Sequence, residues 1–196
     1  MIVNIVLLVV FAAVAACLTL GGLWGGIVML VNVLLAATLA TAWYESLAGL
    51  IKPWLTSYDY VLDIVCLWAL FAAILAALRE ITDRVSRTKV RFEPRVERFG
   101  APVAAVLTAW VVVCFTAASL HVAPVPRDVI QPTPEARMLF GLAPDRRWLA
   151  WVRGSTQRGP FARPDHAFDP QADFIIRMAN RRARLEAEPG LRVRPQ

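Results

Sequence analysis

The chain has 196 residues, is 58% hydrophobic with a mean hydropathy of +0.53, and carries a net charge of +6. An ordinary soluble domain is about 45–50% apolar, and here twenty of the 21 basic residues lie at or after Arg79. This pattern excludes a single soluble globule and a disordered chain, and points to an all-α, polytopic membrane unit over residues 1–123 with an Arg- and Pro-rich polar tail over 124–196.

Four apolar runs are expected to cross the bilayer, at about 2–20, 27–48, 60–78 and 101–122. Each approaches the ~20 residues that cross ~30 Å of hydrocarbon. They must be helices, because each backbone group needs an internal partner in lipid. The first run holds Val14-Ala15-Ala16-Cys17, which is similar to a lipoprotein cleavage box. The chain stays apolar after Cys17, so a retained helix is expected. Gly21, Gly22, Gly25 and Gly26 separate the first two runs and predict a short, uncharged hairpin.

Between the second and third runs, Trp43, Tyr44, Trp54, Tyr58 and Tyr60 form an interfacial aromatic group. Pro53 ends the preceding helix, and Ser57 is placed to cap the next. Arg79 to Arg98 holds seven basic residues and four acids. Its first part continues the third helix, with Glu80 four before Arg84 and Asp83 four before Arg87. A short basic loop belongs in the cytoplasm, which places both termini outside. The tail, with thirteen Arg and eight acids, is long enough to cross regardless of charge.

In the tail, Asp145 is expected to cap a helix over 146–154, and Asp169 a second one with Pro170 in its first turn, running to about Ala187. Phe174, Met178 and Leu185 fall on one side of the second helix; Arg177, Arg181 and Arg184 fall on another. Met138, Leu139 and Phe140 form part of a third short helix. These pieces hold a small core for independent stability, so they are expected to dock on the membrane unit or on a partner.

Few residues point to chemistry. His121 and His166 have no metal-ligand spacing, and the three cysteines lie far apart in apolar runs. No phosphate loop or hydrolase motif is present, so neither an enzyme, a cofactor nor a metal is expected. The basic excess flanks apolar spans and no nucleic-acid fold signature accompanies it, so no nucleic-acid partner is expected. Asp63 opens the third span about one turn after Asp59. With Asn32 in the second span, these residues are candidates for a polar path. Asn4 and Asn32 can also join helices by hydrogen bonds. Gly100, Ala104 and Thr108 recur every four residues and are expected to let the fourth span pack closely against the second span or a second copy of the chain.

The arrangement over about Asn4 to Val122 resembles the colicin V production protein (CvpA-like) family. Glu97-Arg98-Phe99-Gly100, followed by Ala104 and Thr108, is similar to that family's acidic-Arg-aliphatic-Gly opening of the fourth span. Phe99 stands in the aliphatic position, and the glycine turn lacks the charges that usually accompany it. The resemblance implies an inner-membrane protein tied to toxin production or export and to envelope maintenance, working through lipid and protein partners. It implies no catalytic residues. The rival reading is a small transporter or channel component with a path near Asn32, Asp59 and Asp63.

Overall fold

The computed structural model describes residues 2–54, 59–86, 92–125, 130, 133, 135–158, 162 and 167–187, with backbone alone at 59, 60 and 185–187. Among them are six α-helices, one short 3₁₀ turn at Lys52–Trp54, and no strand. The helices are α1 (Ile2–Thr19), α2 (Gly22–Ile51), α3 (Asp59–Val85), α4 (Pro94–Val122), α5 (Pro144–Arg158) and α6 (Phe174–Ala187). The first four are long and apolar enough to cross a bilayer. The chain is an all-α, multi-pass membrane protein whose spans contact lipid.

The spans do not pack in chain order. α2 packs on α3 and on α4, while α1 packs on α4 and barely touches α2. The lateral order is therefore α1, α4, α2, α3. Small side chains permit this. Ala36, Ala37, Ala40, Ala105, Ala109 and Ala117 are fully buried between helices. Lipid is as apolar as Leu, so such contacts hold by close fit rather than by leaving water. The outer faces are correspondingly apolar, with Ile5, Val9, Val31, Val65, Val103 and Val106 exposed.

Several boundaries differ from those expected. The turn consists of Leu20 and Gly21, and Gly22 opens α2. The Gly21 N–H closes on the Leu18 carbonyl at 3.1 Å, and Gly22 takes φ +75°, a left-handed value that suits glycine. Gly25 and Gly26 already belong to α2. That helix has 30 residues and is about 45 Å long. Its last turns outreach α4, and Ala48 clusters there with Leu62 and Cys66 of α3. α3 runs past residue 78 into its charged turns, where Arg84 meets Glu80 at 2.8 Å. Asp83 pairs backwards with Arg79 at 3.7 Å; Arg87 lies outside the described residues. So do Ser57 and Tyr58.

The tail folds onto the bundle. Trp148, Leu149 and Val152 of α5, Phe168, and Phe174 and Met178 of α6 share one core with Ala37, Tyr44, Leu67, Phe115 and Val122 of the spans. Phe115 is the centre of the aromatic packing, with Trp68, Phe71 and Trp148 rings at 5.2, 4.7 and 6.0 Å. Met138 to Phe140 is a turn, not a helix. Leu139 and Phe140 adopt φ +50° and +54°, which no right-handed helix accommodates. The Leu139 N–H instead donates to Asn4 Oδ1 of α1 at 3.0 Å, so Asn4 joins a span to the tail.

The caps also shift. α5 starts at Pro144, which puts Asp145 inside its first turn. α6 starts at Phe174, not near Pro170, which sits in the preceding turn. Asp169 still serves that helix: its Oδ1 accepts the N–H groups of Asp173 and Phe174 at 3.0 and 3.1 Å. Burial pushes the Asp169 carboxyl above the ordinary carboxylate range, against the pull of those two donors.

Candidate functional site

The two ends of the bundle are built differently. At the glycine-turn end, α2 begins without a side-chain cap, because Gly21 has none to offer. The first N–H groups of a helix need acceptors from elsewhere. Glu97 of α4 supplies one: its Oε1 accepts the Leu23 N–H at 2.7 Å. An anion at a helix N-terminus is also favoured by the helix dipole. The fit at Gly22 is close, since a Cβ there would lie 2.7 Å from the same Glu97 oxygen.

The small-residue stripe of α4 packs just beside this cap. A Cβ at Gly100 would lie 2.8 Å from Leu23 Cδ2, and one at Gly26 would lie 3.0 Å from the Ala104 Cβ. Gly100 and Ala104 thus face α2. Thr108 is fully buried, but its hydroxyl donates to Ala104 O in its own helix at 2.8 Å rather than across to a neighbour. Glycines from the hairpin and the residues from Glu97 to Ala104, far apart in the chain, make one contact zone.

Beside that zone lies a cavity of about 430 Å³ between α1, α2 and α3. Gly21, Gly25, Trp24 and Asn32 line its α2 side, and Arg79, Thr82, Asp83 and Ser86 line its α3 side. Two hydrogen bonds tie those helices together across it. Trp24 Nε1 donates to Ser86 Oγ at 2.8 Å, and Asn32 Nδ2 donates to Thr82 Oγ1 at 3.0 Å. Asn32 is 3% exposed.

The tail end is held by polar pairs, some buried and some half-exposed. Asp63, also buried, meets Arg181 of α6 and has Lys52 Nζ at 4.0 Å. Arg177, one turn earlier, pairs with Glu45 at 3.3 Å, and the Tyr44 hydroxyl donates to the same carboxylate. His121 Nε2 lies 3.0 Å from Asp145 Oδ2, with both side chains buried. Arg182 donates to the His121 carbonyl at 2.9 Å, supplying a cation and a donor at the C-terminus of α4. The indoles of Trp148 and Trp151 donate to Thr41 and Thr38 of α2 at 3.1 and 3.2 Å.

The structure does not bring the expected polar path together. Asn32 sits opposite Thr82, and Asp63 lies nineteen residues from Thr82 along the same helix, or about 28 Å. Packed Ala36, Ala37, Ala40 and Leu67 fill the space between the ends. The Asp59 side chain and His166 lie outside the described residues. Among the described residues, no group of three His, Cys, Asp or Glu side chains is placed to hold a metal ion.

Among the partners not read from the sequence are the Leu23 acceptor on Glu97, the His121–Asp145 pair, the Asp63–Arg181 pair and the Arg182 cap. A signal existed for the first. A hairpin with no polar side chain leaves α2's first N–H groups in need of an acceptor, and Glu97 is the one acid in the first turn of α4. No family model, curated protein or solved structure matches the chain.

Proposed function

We propose that this chain is an accessory protein of the bacterial inner membrane, of the colicin V production type, which supports toxin export or envelope homeostasis through protein partners. The supporting observation is the contact zone at the glycine-turn end. The residues that carry the resemblance, Glu97, Gly100 and Ala104, are those that receive the start of α2. They are a built structural element rather than scattered matches. In this reading both termini face the periplasm.

A transport role is the weaker reading, because Asn32 and Asp63 serve opposite ends of a packed bundle. The test is genetic. A host strain lacking the chain is compared with one complemented by the wild type and by Glu97→Ala, for envelope sensitivity to detergent and for export of a toxin reporter. Defects restored by the wild type support the reading. Normal export and normal envelope integrity in the null strain would sink it.

A further inference from the structure

Between Arg137 and Asp145 the chain runs through seven residues without charge, Met138 to Pro144. They divide between two surroundings. Met138 and Leu139 turn inward and pack with Leu7 of α1 and with Val113 and Ala117 of α4. Phe140 and Leu142 stay out of that core, 77% and 46% exposed. The backbone holds them there. Leu139, Phe140, Gly141 and Ala143 take φ of +50°, +54°, +94° and +48°, a left-handed run that persists only where its surroundings fix it. Three hydrogen bonds do so. The Leu139 N–H donates to Asn4 Oδ1 at 3.0 Å. The Leu142 N–H donates to the Leu139 carbonyl and the Ala143 N–H to the Met138 carbonyl, each at 3.1 Å. The exposure of the tip is therefore built into the loop.

Its depth follows from Asn4. α1 has 18 residues, which makes it about 27 Å long, no longer than the ~30 Å of hydrocarbon it crosses. Asn4 is the third residue of that helix, about 3 Å along its axis. A loop bonded to Asn4 lies at the hydrocarbon boundary, not in the water above it. This is also the end of α1 that exposes Ile2 and Ile5 to lipid. Backbone at that depth needs partners within the protein, and the three bonds supply them. Arg137 and Arg147, both exposed, flank the uncharged stretch. Such side chains lay their stems on apolar surface and keep their charge at the polar boundary.

We propose that the tip from Phe140 to Leu142 is a membrane wedge, whose two apolar side chains insert into the leaflet around the start of α1. Its occupant is lipid rather than a second copy of the chain, because the tip is level with the end of a span that lipid already surrounds. The wedge ties the polar tail to the bilayer as well as to the bundle. It stands under either topology, and whether or not the chain acts in export.

The test uses the full chain in vesicles of phosphatidylethanolamine and phosphatidylglycerol. Cys17→Ala removes the exposed thiol, and Cys66 and Cys114 are buried. A nitrobenzoxadiazole label is placed at Leu142→Cys, with Phe140 intact, or at Asn180→Cys, on an exposed position of α6. The quenchers are iodide on both faces of the vesicle and spin labels at several depths in the lipid. The label at 142 is quenched by lipid about 5–10 Å below the headgroups and loses its quenching by iodide. The label at 180 keeps its quenching by iodide. Phe140→Asp, at a side chain outside the core, moves the label at 142 into water, so its lipid quenching is lost. Equal iodide quenching at 142 and 180 overturns the wedge. A label at 142 shielded from iodide yet untouched by the lipid quenchers is covered by protein, which overturns the lipid assignment. Lipid quenching at 142 that survives Phe140→Asp overturns the role of the exposed ring.

Discussion

The carboxylate of Glu97 accepts the backbone N–H of Leu23 at 2.7 Å, across 74 positions of chain. One side chain of α4 thereby completes the start of α2. The bond also explains why a short turn without charge, at Leu20 and Gly21, is sufficient there.

Glu97→Ala is expected to lower stability by about 0.5–2 kcal/mol, the usual cost of losing a helix N-cap. Glu97→Gln keeps an acceptor oxygen and should recover most of that loss. Thermal midpoints in one detergent compare the three proteins. Identical midpoints for Ala, Gln and wild type would show that the contact contributes nothing.

Ala104→Leu should destabilise the bundle by about 1–3 kcal/mol, as overpacking does in filled interiors. The cause is the close approach of Ala104 to Gly26. Val103→Leu, one position away on an exposed face, should be tolerated. Thermal aggregation in detergent separates them, and equal behaviour would mean the stripe is not a contact.

His121 and Asp145 should be energetically coupled. Breaking a buried pair leaves the other group without its partner, a loss of about 1–3 kcal/mol. The double-mutant cycle of His121→Asn and Asp145→Asn measures the shared part. Additive single losses would show that the two side chains merely lie close.

Topology can be read by labelling. Cys17 is exposed whereas Cys66 and Cys114 are buried, so Cys17→Ala provides the background. In intact cells, a thiol at Arg84 should be shielded from an impermeant reagent, and one at Arg158 should react. The reverse pattern would place the tail in the cytoplasm.

Asp169 gives a pH dependence of known sign. Its carboxyl binds a proton more readily when folded, because burial raises its pKa. Its stability contribution is therefore fullest below the ordinary carboxylate range and declines as pH rises through the raised value. Asp169→Asn keeps an acceptor for the Asp173 and Phe174 N–H groups and should flatten that decline. An unchanged pH profile would assign the dependence to another group.

The four spans were legible because apolar length alone identifies them. Asp169 serving α6 was an equally local signal, whereas the start of α4 at Pro94, seven residues before the apolar run, was not read. The docking of the tail was legible only as a need for cover, felt in Trp148 and Phe174. Its location was not, because it depends on pairs such as His121 with Asp145 and Asp63 with Arg181, which share no local pattern. The turn at Leu139 was misread for a related reason. An apolar triplet suits a helix until the Asn4 side chain, 135 positions away, claims its N–H.

The lateral order α1, α4, α2, α3 also bears on how the chain is made. α1 and α2 leave the ribosome first, yet the helix that lies between them is α4, and synthesis reaches it last among the spans. The first hairpin must therefore wait in lipid with its inner faces uncovered, and α2 begins without its Glu97 acceptor. α3 can join α2 early, whereas α1 gains its packing only when α4 wedges in. A chain arrested before residue 94 would hold three inserted helices and one packed pair, with α1 free to drift. Assembly of this fold is thus a late event, and the tail, synthesised after α4, closes over an end that has only just formed.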